Sequence, residues 1–339
     1  MTTPRAADET MQFRFALLGD AATQEEVPAQ ARERWGAPYG PAEDWPVRTE
    51  DRRLPGPHGS VPVRIYTPQA VTAPAARPCL VWCHGGGFMH GDLDMPEADH
   101  VSRGVAGRAE AVVVSVDYRL CDAPAEFGGA PARRVAGEDD EGERAVRAPV
   151  PLDDVCAAVT WARAHADELG IDPARLAIGG ASAGGNLAAA AALRLAEEGR
   201  APAASLLLYP VLHPLQPEPN AEEAAALQAT PLPLRFSRET MHVMSANYTG
   251  RPLAQAVPHE FPGLAAAEQL AALPRTYLEA DEFDDLRVGA RRYAEQLQEA
   301  GVEVEHVVRR GAAHGHLNQV GLPAARESMD RMAEILRAL

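Results

Sequence analysis

The chain has 339 residues, 46% of them hydrophobic and 24% charged, with a formal net charge of −16 at neutral pH. That composition describes a globular protein able to bury a sizeable core, and its acidic surface repels phosphate backbones, which excludes nucleic acid as a partner. No apolar stretch nears the roughly 20 residues of a membrane span, and Arg5, Asp8, Glu9 and Arg14 interrupt the start where a signal peptide needs an apolar core, so a cytoplasmic protein with no membrane partner is expected.

In chain order, residues 1–50 carry helical fragments at Met11–Leu18 and Glu25–Trp35. Val61–Tyr66 reads as an early edge strand, and the apolar runs at 79–84 and 111–117 as buried strands. Cys79 and Cys83 share one strand, where four residues at about 3.3 Å each keep them too far apart to bridge. They, and the isolated Cys121 and Cys156, are expected to be packed thiols. Residues 122–149, rich in Ala, Gly, Arg and acids and including Glu138-Asp139-Asp140-Glu141, read as an exposed excursion.

A helix at 153–169, a strand at 175–180, a helix at 185–198 and a strand at 204–211 follow. Residues 215–262 break the alternation with a Pro/Ala/Glu-rich stretch and a helix that aligns Met241, Met244 and Tyr248 and ends at Gly250. A strand at 275–280, a helix at 287–300, a strand at 302–308 and a helix at 323–338 complete the chain. Continuous apolar runs mean strands buried on both faces, hence an α/β fold with a mainly parallel central sheet and helices on both faces. The segments 1–50 and 215–262 are expected to form a helical cap over a core of 51–214 and 263–339, the alternative being helices packed on the sheet edge.

The chemistry concentrates in a few loops. Gly180-Ala181-Ser182-Ala183-Gly184 is a G-x-S-x-G set between the apolar Leu176-Ala177-Ile178 and an Ala/Leu helix, the context of a nucleophile elbow. His84-Gly85-Gly86-Gly87 follows the apolar Leu80-Val81-Trp82 and supplies backbone N–H groups suited to an oxyanion. Either motif alone is a common glycine-rich turn; together, each after a strand, they specify a serine hydrolase. The sequence holds no lysine, all 32 basic residues being arginine, which removes Schiff-base, Walker A and Ser-x-x-Lys chemistry and leaves histidine as the base. Of the eleven histidines, five precede Ser182, His213, His242 and His259 precede or lie in 215–262, and His306 lies in a strand, which leaves His314 and His316 in the loop after it. As a metal pair His314-x-His316 lacks a carboxylate or third histidine at ligand spacing, so no metal is expected. The orienting acid falls in Asp281-Glu282-Phe283-Asp284-Asp285, where pattern does not choose among three aspartates and helix capping or a solvated face accounts for at least one.

His84-Gly-Gly-Gly-Phe88, Asp117-Tyr-Arg-Leu120, Ser182-Ala-Gly-Gly-Asn-Leu187, Asp284-Asp-Leu-Arg287 and His314-Gly315 resemble, in order, the motifs of the hormone-sensitive-lipase-like (bacterial family IV) carboxylesterases. The similarity runs from about Val61 to the C-terminus. It implies an α/β-hydrolase fold with a helical cap, and hydrolysis of short-chain small-molecule esters without a cofactor. It also implies Ser182 as nucleophile, His314 as base, Asp284 as acid, and the N–H groups of Gly86, Gly87 and Ala183 as oxyanion hole. Several positions depart from the usual family pattern: Asp285 stands for Pro, Val288 for a second acid, Ala181 for Asp or Thr, His316 for Phe, and Cys121-Asp122-Ala123 for Ala-Pro-Glu. An amidase or peptidase would use the same machinery, and plant gibberellin receptors show that relatives can be non-enzymatic; an intact His314 argues against a receptor. The oligomeric state, a homo-oligomer included, is left open.

Overall fold

A computed structural model describes residues 10–69, 76–129 and 145–339. Its elements begin with Ala29–Gly36 (α1), Val47–Gly56 (β1), Gly59–Pro68 (β2), Arg77–Cys83 (β3), Asp99–Ala109 (α2) and Val112–Val116 (β4). Val150–Ala164 (α3), Ala166–Leu169 (α4), Ile171–Ala181 (β5), Ala183–Glu197 (α5), Ser205–Leu208 (β6), Ala221–Ala229 (α6) and Arg238–Thr249 (α7) follow. Ala267–Leu270 (α8), Thr276–Phe283 (β7), Leu286–Glu299 (α9), Val304–Ala313 (β8) and Pro323–Arg337 (α10) complete the order. The strands form one sheet, β1-β2-β4-β3-β5-β6-β7-β8, antiparallel at β1/β2 and β2/β4 and parallel thereafter.

Successive side chains of a strand point to opposite faces, and here both faces are covered. Cys79, Val81 and Cys83 of β3 join Val155 of α3 and Leu187 of α5 in one core layer. Leu80 and Trp82 of the same strand join Val105 of α2 and Met329 of α10 in the other. Each fully buried aliphatic or aromatic side chain contributes about 1.5–3 kcal/mol, which is why the apolar runs, rather than alternating ones, occupy the centre of the sheet. Burial also pushes the Cys79 and Cys121 thiols up to about 12, and all four cysteines are free, in keeping with packed thiols.

Two elements differ from expectation. The edge strand is β1, and the strand at Val61–Tyr66 is interior, paired with β1 on one side and β4 on the other. β1 escapes a search for apolar periodicity because Leu54 is its single fully buried residue, and its sequence is otherwise dominated by Arg, Glu and Asp. Its register comes from the backbone ladder with β2 and from ion pairs such as Arg64–Asp51 at 2.6 Å. The helix α2, unread in the sequence, buries Val101 and Val105 one turn apart.

Inside 215–262, α6 starts with a capping box: Asn220 Oδ1 accepts the Glu223 N–H at 2.9 Å and Glu223 Oε2 accepts the Asn220 N–H at 2.8 Å. α7 buries Met241, Met244 and Tyr248 and ends at Gly250 with φ +67°. The described ends of 122–149 dock on α7, through Asn247 to the Asp122 carbonyl at 2.9 Å and the Ala148 N–H to the Tyr248 carbonyl at 2.8 Å. The acidic run 138–141 lies outside the described residues. Among the described residues no helix is long and apolar enough to cross a membrane.

Leu187, fully buried one turn after Ser182, anchors α5 to the sheet. Leu187→Ala should lower stability by about 2–5 kcal/mol, seen as a lower urea midpoint with an unchanged m value.

Candidate active site

Ser182 sits where β5 gives way to α5, with φ +54° and ψ −118°. A non-glycine residue held there costs about 1–3 kcal/mol, and its neighbours hold it in place. Its N–H donates to the Leu208 carbonyl at 3.0 Å, while its own carbonyl accepts from Asn186 at 3.0 Å and Val211 at 3.1 Å. The flanking glycines answer to sterics: a Cβ on Gly180 would lie 2.3 Å from the Gly184 carbonyl oxygen, and one on Gly184 would lie 2.2 Å from those of Cys83 and His84. The end of β3 and the start of α5 are therefore in backbone contact, which brings the His84–Gly87 loop beside Ser182.

Asp284 and His314 follow β7 and β8, neighbouring strands on the same side of β5. His314 Nε2 lies 2.9 Å from Ser182 Oγ, and His314 Nδ1 lies 2.7 Å from Asp284 Oδ2. Asp284 is fully buried, and its other oxygen accepts the Leu286 N–H at 2.9 Å. Burial by itself would lower the His314 pKa; the Asp284 carboxylate, reinforced by Asp281 and Glu97, outweighs it and holds the imidazole above its ordinary value.

The three aspartates of the 281–285 cluster part company. Asp281 Oδ1 lies 2.7 Å from His316 Nδ1, and Asp285 pairs with Arg235 at 2.8 Å. The reading that no carboxylate accompanies His314-x-His316 is corrected: the fold brings two to His316, Asp281 and, at 3.4 Å, Glu279. These three groups hold ligand-type atoms within 4.8 Å of one another. Their charges are already matched from within the protein, since Arg309 pairs with Glu279 at 2.9 Å and the His316 ring lies between both carboxylates, with Ser328 Oγ 3.0 Å from its Nε2. Burial opposes a charged His316, but Asp281 and Glu279 override it and raise its pKa.

Gly86 and Gly87 have φ of +117° and +61°, and a Cβ on Gly86 would fall 2.0 Å from the His90 carbonyl oxygen. Ala183 opens α5, so its N–H is one of the first-turn donors that a helix does not satisfy internally. Glu97 is a residue the sequence reading missed. Fully buried, it accepts the Gly85 N–H at 3.2 Å through Oε1 and the Asn318 amide at 3.2 Å through Oε2, while Asn318 Oδ1 accepts the Glu97 N–H at 3.2 Å. It thus joins the glycine loop to the loop that carries His314, and burial pushes its pKa up. An acid just ahead of a helix carries no local mark of such a role.

Residues 215–262 supply walls. Phe236 meets the His314 ring edge-on with centroids 4.7 Å apart, and Tyr209 meets it from the core at 5.1 Å. Met244 and Met89 each lie 3.4 Å from where a Gly87 Cβ would sit. Tyr248 stacks on Phe88 at 3.9 Å.

Residues 145–318 match a family described as alpha/beta hydrolase fold, and residues 61–204 match the carboxylesterase family. Esterase LipI of Mycobacterium tuberculosis is 34% identical over 299 residues, covering 86% of this chain and 82% of its own length. Carboxylesterase NlhH of the same organism is 34% identical over 301 residues, covering 86% and 83%. A thermostable esterase from Pseudomonas putida superposes with a TM-score of 0.76 at 26% identity, over 100% of this chain and 98% of that one. With a serine, a histidine and an aspartate in one hydrogen-bonded line, beside a glycine loop and at the ends of a mostly parallel sheet, this chain belongs to the hormone-sensitive-lipase-like branch of the alpha/beta hydrolases and is a serine carboxylic ester hydrolase.

Proposed function

We propose that Ser182, His314 and Asp284 are the catalytic triad and that the substrates are small esters with short acyl chains. The observation that carries this reading is the unbroken line from Asp284 Oδ2 to His314 Nδ1 at 2.7 Å and from His314 Nε2 to Ser182 Oγ at 2.9 Å. Ser182 Oγ attacks the ester carbonyl while His314 Nε2 takes its proton, and the oxyanion is received by the N–H groups of Gly86, Gly87 and Ala183. His314 then protonates the departing alcohol and activates the water that releases the acid. Asp284 keeps the proton on Nδ1, so that Nε2 faces the serine as an acceptor. Every bond made or broken is served by these groups, and the scheme calls on no cofactor.

The substrate space is closed, in this reading, by a cap made of the N-terminal segment and 215–262. Phe236 and Met244 support the second part. The first is supported by the Ala313 N–H contact to Met11 Sδ at 3.4 Å and by the Phe15–Phe283 ring pair at 5.2 Å, both beside the triad loops. We infer a cytoplasmic setting from the four free thiols, which suit a reducing compartment.

Ser182→Ala should fold normally, lose labelling by a fluorophosphonate, and show kcat lower by about 10⁴- to 10⁶-fold. Retention of most activity would refute the assignment.

Because a protonated His314 cannot accept the serine proton, kcat/KM should fall as pH drops through a midpoint above the ordinary histidine value of about 6.5. In Asp284→Asn the effect of burial loses its largest counterweight, with Asp281 and Glu97 remaining. That variant should lose about 10⁴-fold in kcat and move the midpoint downward, and a pH–rate series on both proteins would reveal it.

For a closed cap, kcat/KM on a series of acyl esters should peak between acetyl and about hexanoyl. An open apolar site would instead gain about 0.8 kcal/mol per added methylene. A continued rise through dodecanoyl esters, or activation at an oil–water interface, would show an open site.

A further inference from the structure

Asp285, next to the proposed acid, takes no part in the line to Ser182, yet it is buried and fully engaged. Its Oδ2 accepts from Arg235 Nε at 2.8 Å and from the Phe236 N–H at 2.8 Å, and its Oδ1 accepts from Arg235 Nη2 at 2.8 Å. A forked guanidinium on a carboxylate, with a backbone donor beside it, fixes position and orientation together. The loop that carries Asp284 therefore also pins the backbone at 235–236. The pinned residue is Phe236, whose ring stands edge-on to His314 at 82°.

Phe236 also lines a cavity of about 170 Å³, together with Leu227, Met241, Val288 and Gln216, with Arg235 and Asp285 in its wall. The same ring thus belongs both to the surroundings of His314 and to this chamber. The chemistry decides which half of an ester meets it. The departing alcohol takes its proton from His314 Nε2, so its oxygen must reach that atom; of the two rings edge-on to His314, Tyr209 comes from the core and Phe236 from the 215–262 side, which leaves Phe236 to meet the alcohol half. Met89 and Met244 lie instead against the glycine loop proposed to receive the carbonyl oxygen.

Resting on the triad assignment above, we propose that Phe236, held by the Asp285–Arg235 pair, is the specificity-determining residue for the alcohol half of the ester. It shuts the chamber off from His314. An apolar cavity of about 150 Å³ accepts benzene; this chamber is of similar size, with an apolar wall of Leu227, Met241 and Val288 facing a charged one of Arg235, Arg238 and Asp285, so it has room for an aromatic ring once Phe236 gives way. In the parent protein small alkyl esters are accepted, and esters of ring-bearing alcohols are disfavoured at the leaving group rather than at the acyl chain.

The test compares kcat/KM for ethyl acetate, benzyl acetate and ethyl butanoate. Phe236→Ala should raise the benzyl-to-ethyl acetate ratio by about tenfold, with Phe236→Leu giving a smaller rise, while the butanoate-to-acetate ratio stays as in the parent. Asp285→Asn should move the benzyl ratio the same way, and adding it to Phe236→Ala should move it no further. An unchanged benzyl ratio in both Phe236 variants, or a change in the acyl ratio instead, would overturn the gate. Full additivity of Asp285→Asn and Phe236→Ala would overturn its attachment to Asp285. Failure of the underlying triad reading looks different: the parent would then not be labelled at Ser182 by a fluorophosphonate, whereas a labelled enzyme with unmoved ratios condemns the gate alone.

Discussion

Everything at the site depends on the backbone contact between the end of β3 and the start of α5. A methyl group on Gly184 would overlap the carbonyl oxygens of Cys83 and His84 at 2.2 Å, so the two segments meet with no side chain between them. That contact ties the position of Ser182 to that of the glycine loop, and an oxyanion hole works only if its donors are aimed before the charge appears. The parallel pairing of β3 with β5 sets the approach, and Leu187 behind the elbow holds the helix against the sheet.

A second constraint is the concentration of buried acid at the end of β7. Glu279, Asp281, Asp284 and Asp285 all have little or no exposure, and buried carboxylates are tolerated only when paired. Each has its own partner here: Arg309, His316, His314 and Arg235. A chain that uses arginine in place of every lysine is suited to this, because a guanidinium satisfies a carboxylate with two parallel bonds where an ammonium offers a point charge. The His316 pair lies behind the Ser182–His314–Asp284 line, with Tyr209 edge-on to both imidazoles at 5.1 and 5.2 Å. One ring therefore packs His314 against His316.

The departures from family pattern acquire physical meaning in this setting. Asp285, in place of a proline, supplies the anchor for Arg235 and Phe236. His316, in place of a phenylalanine, balances Asp281. Both exchange an apolar or rigid residue for an ion pair that links elements distant in sequence, and the Asp285 pair reaches the segment that walls the site.

Much of this was legible in the residues themselves. Continuous apolar runs declared buried parallel strands, the G-x-S-x-G between strand and helix declared the elbow, and Gly250 closed α7 where its backbone turns left-handed, because burial periodicity and left-handed turns are properties of a few neighbouring residues. The motif resemblance singled out Asp284 where composition left three aspartates level. What tertiary structure alone decided are relations between residues far apart in the chain. β1 has charged residues where a core strand has apolar ones, and only its ladder with β2 makes it a strand. Glu97 is an unremarkable acid until folding sets it between Gly85 and Asn318. The division of Asp281, Asp284 and Asp285 among His316, His314 and Arg235 likewise follows from how β7, β8 and the 215–262 segment pack, since a carboxylate's role is set by the partner that burial leaves within reach.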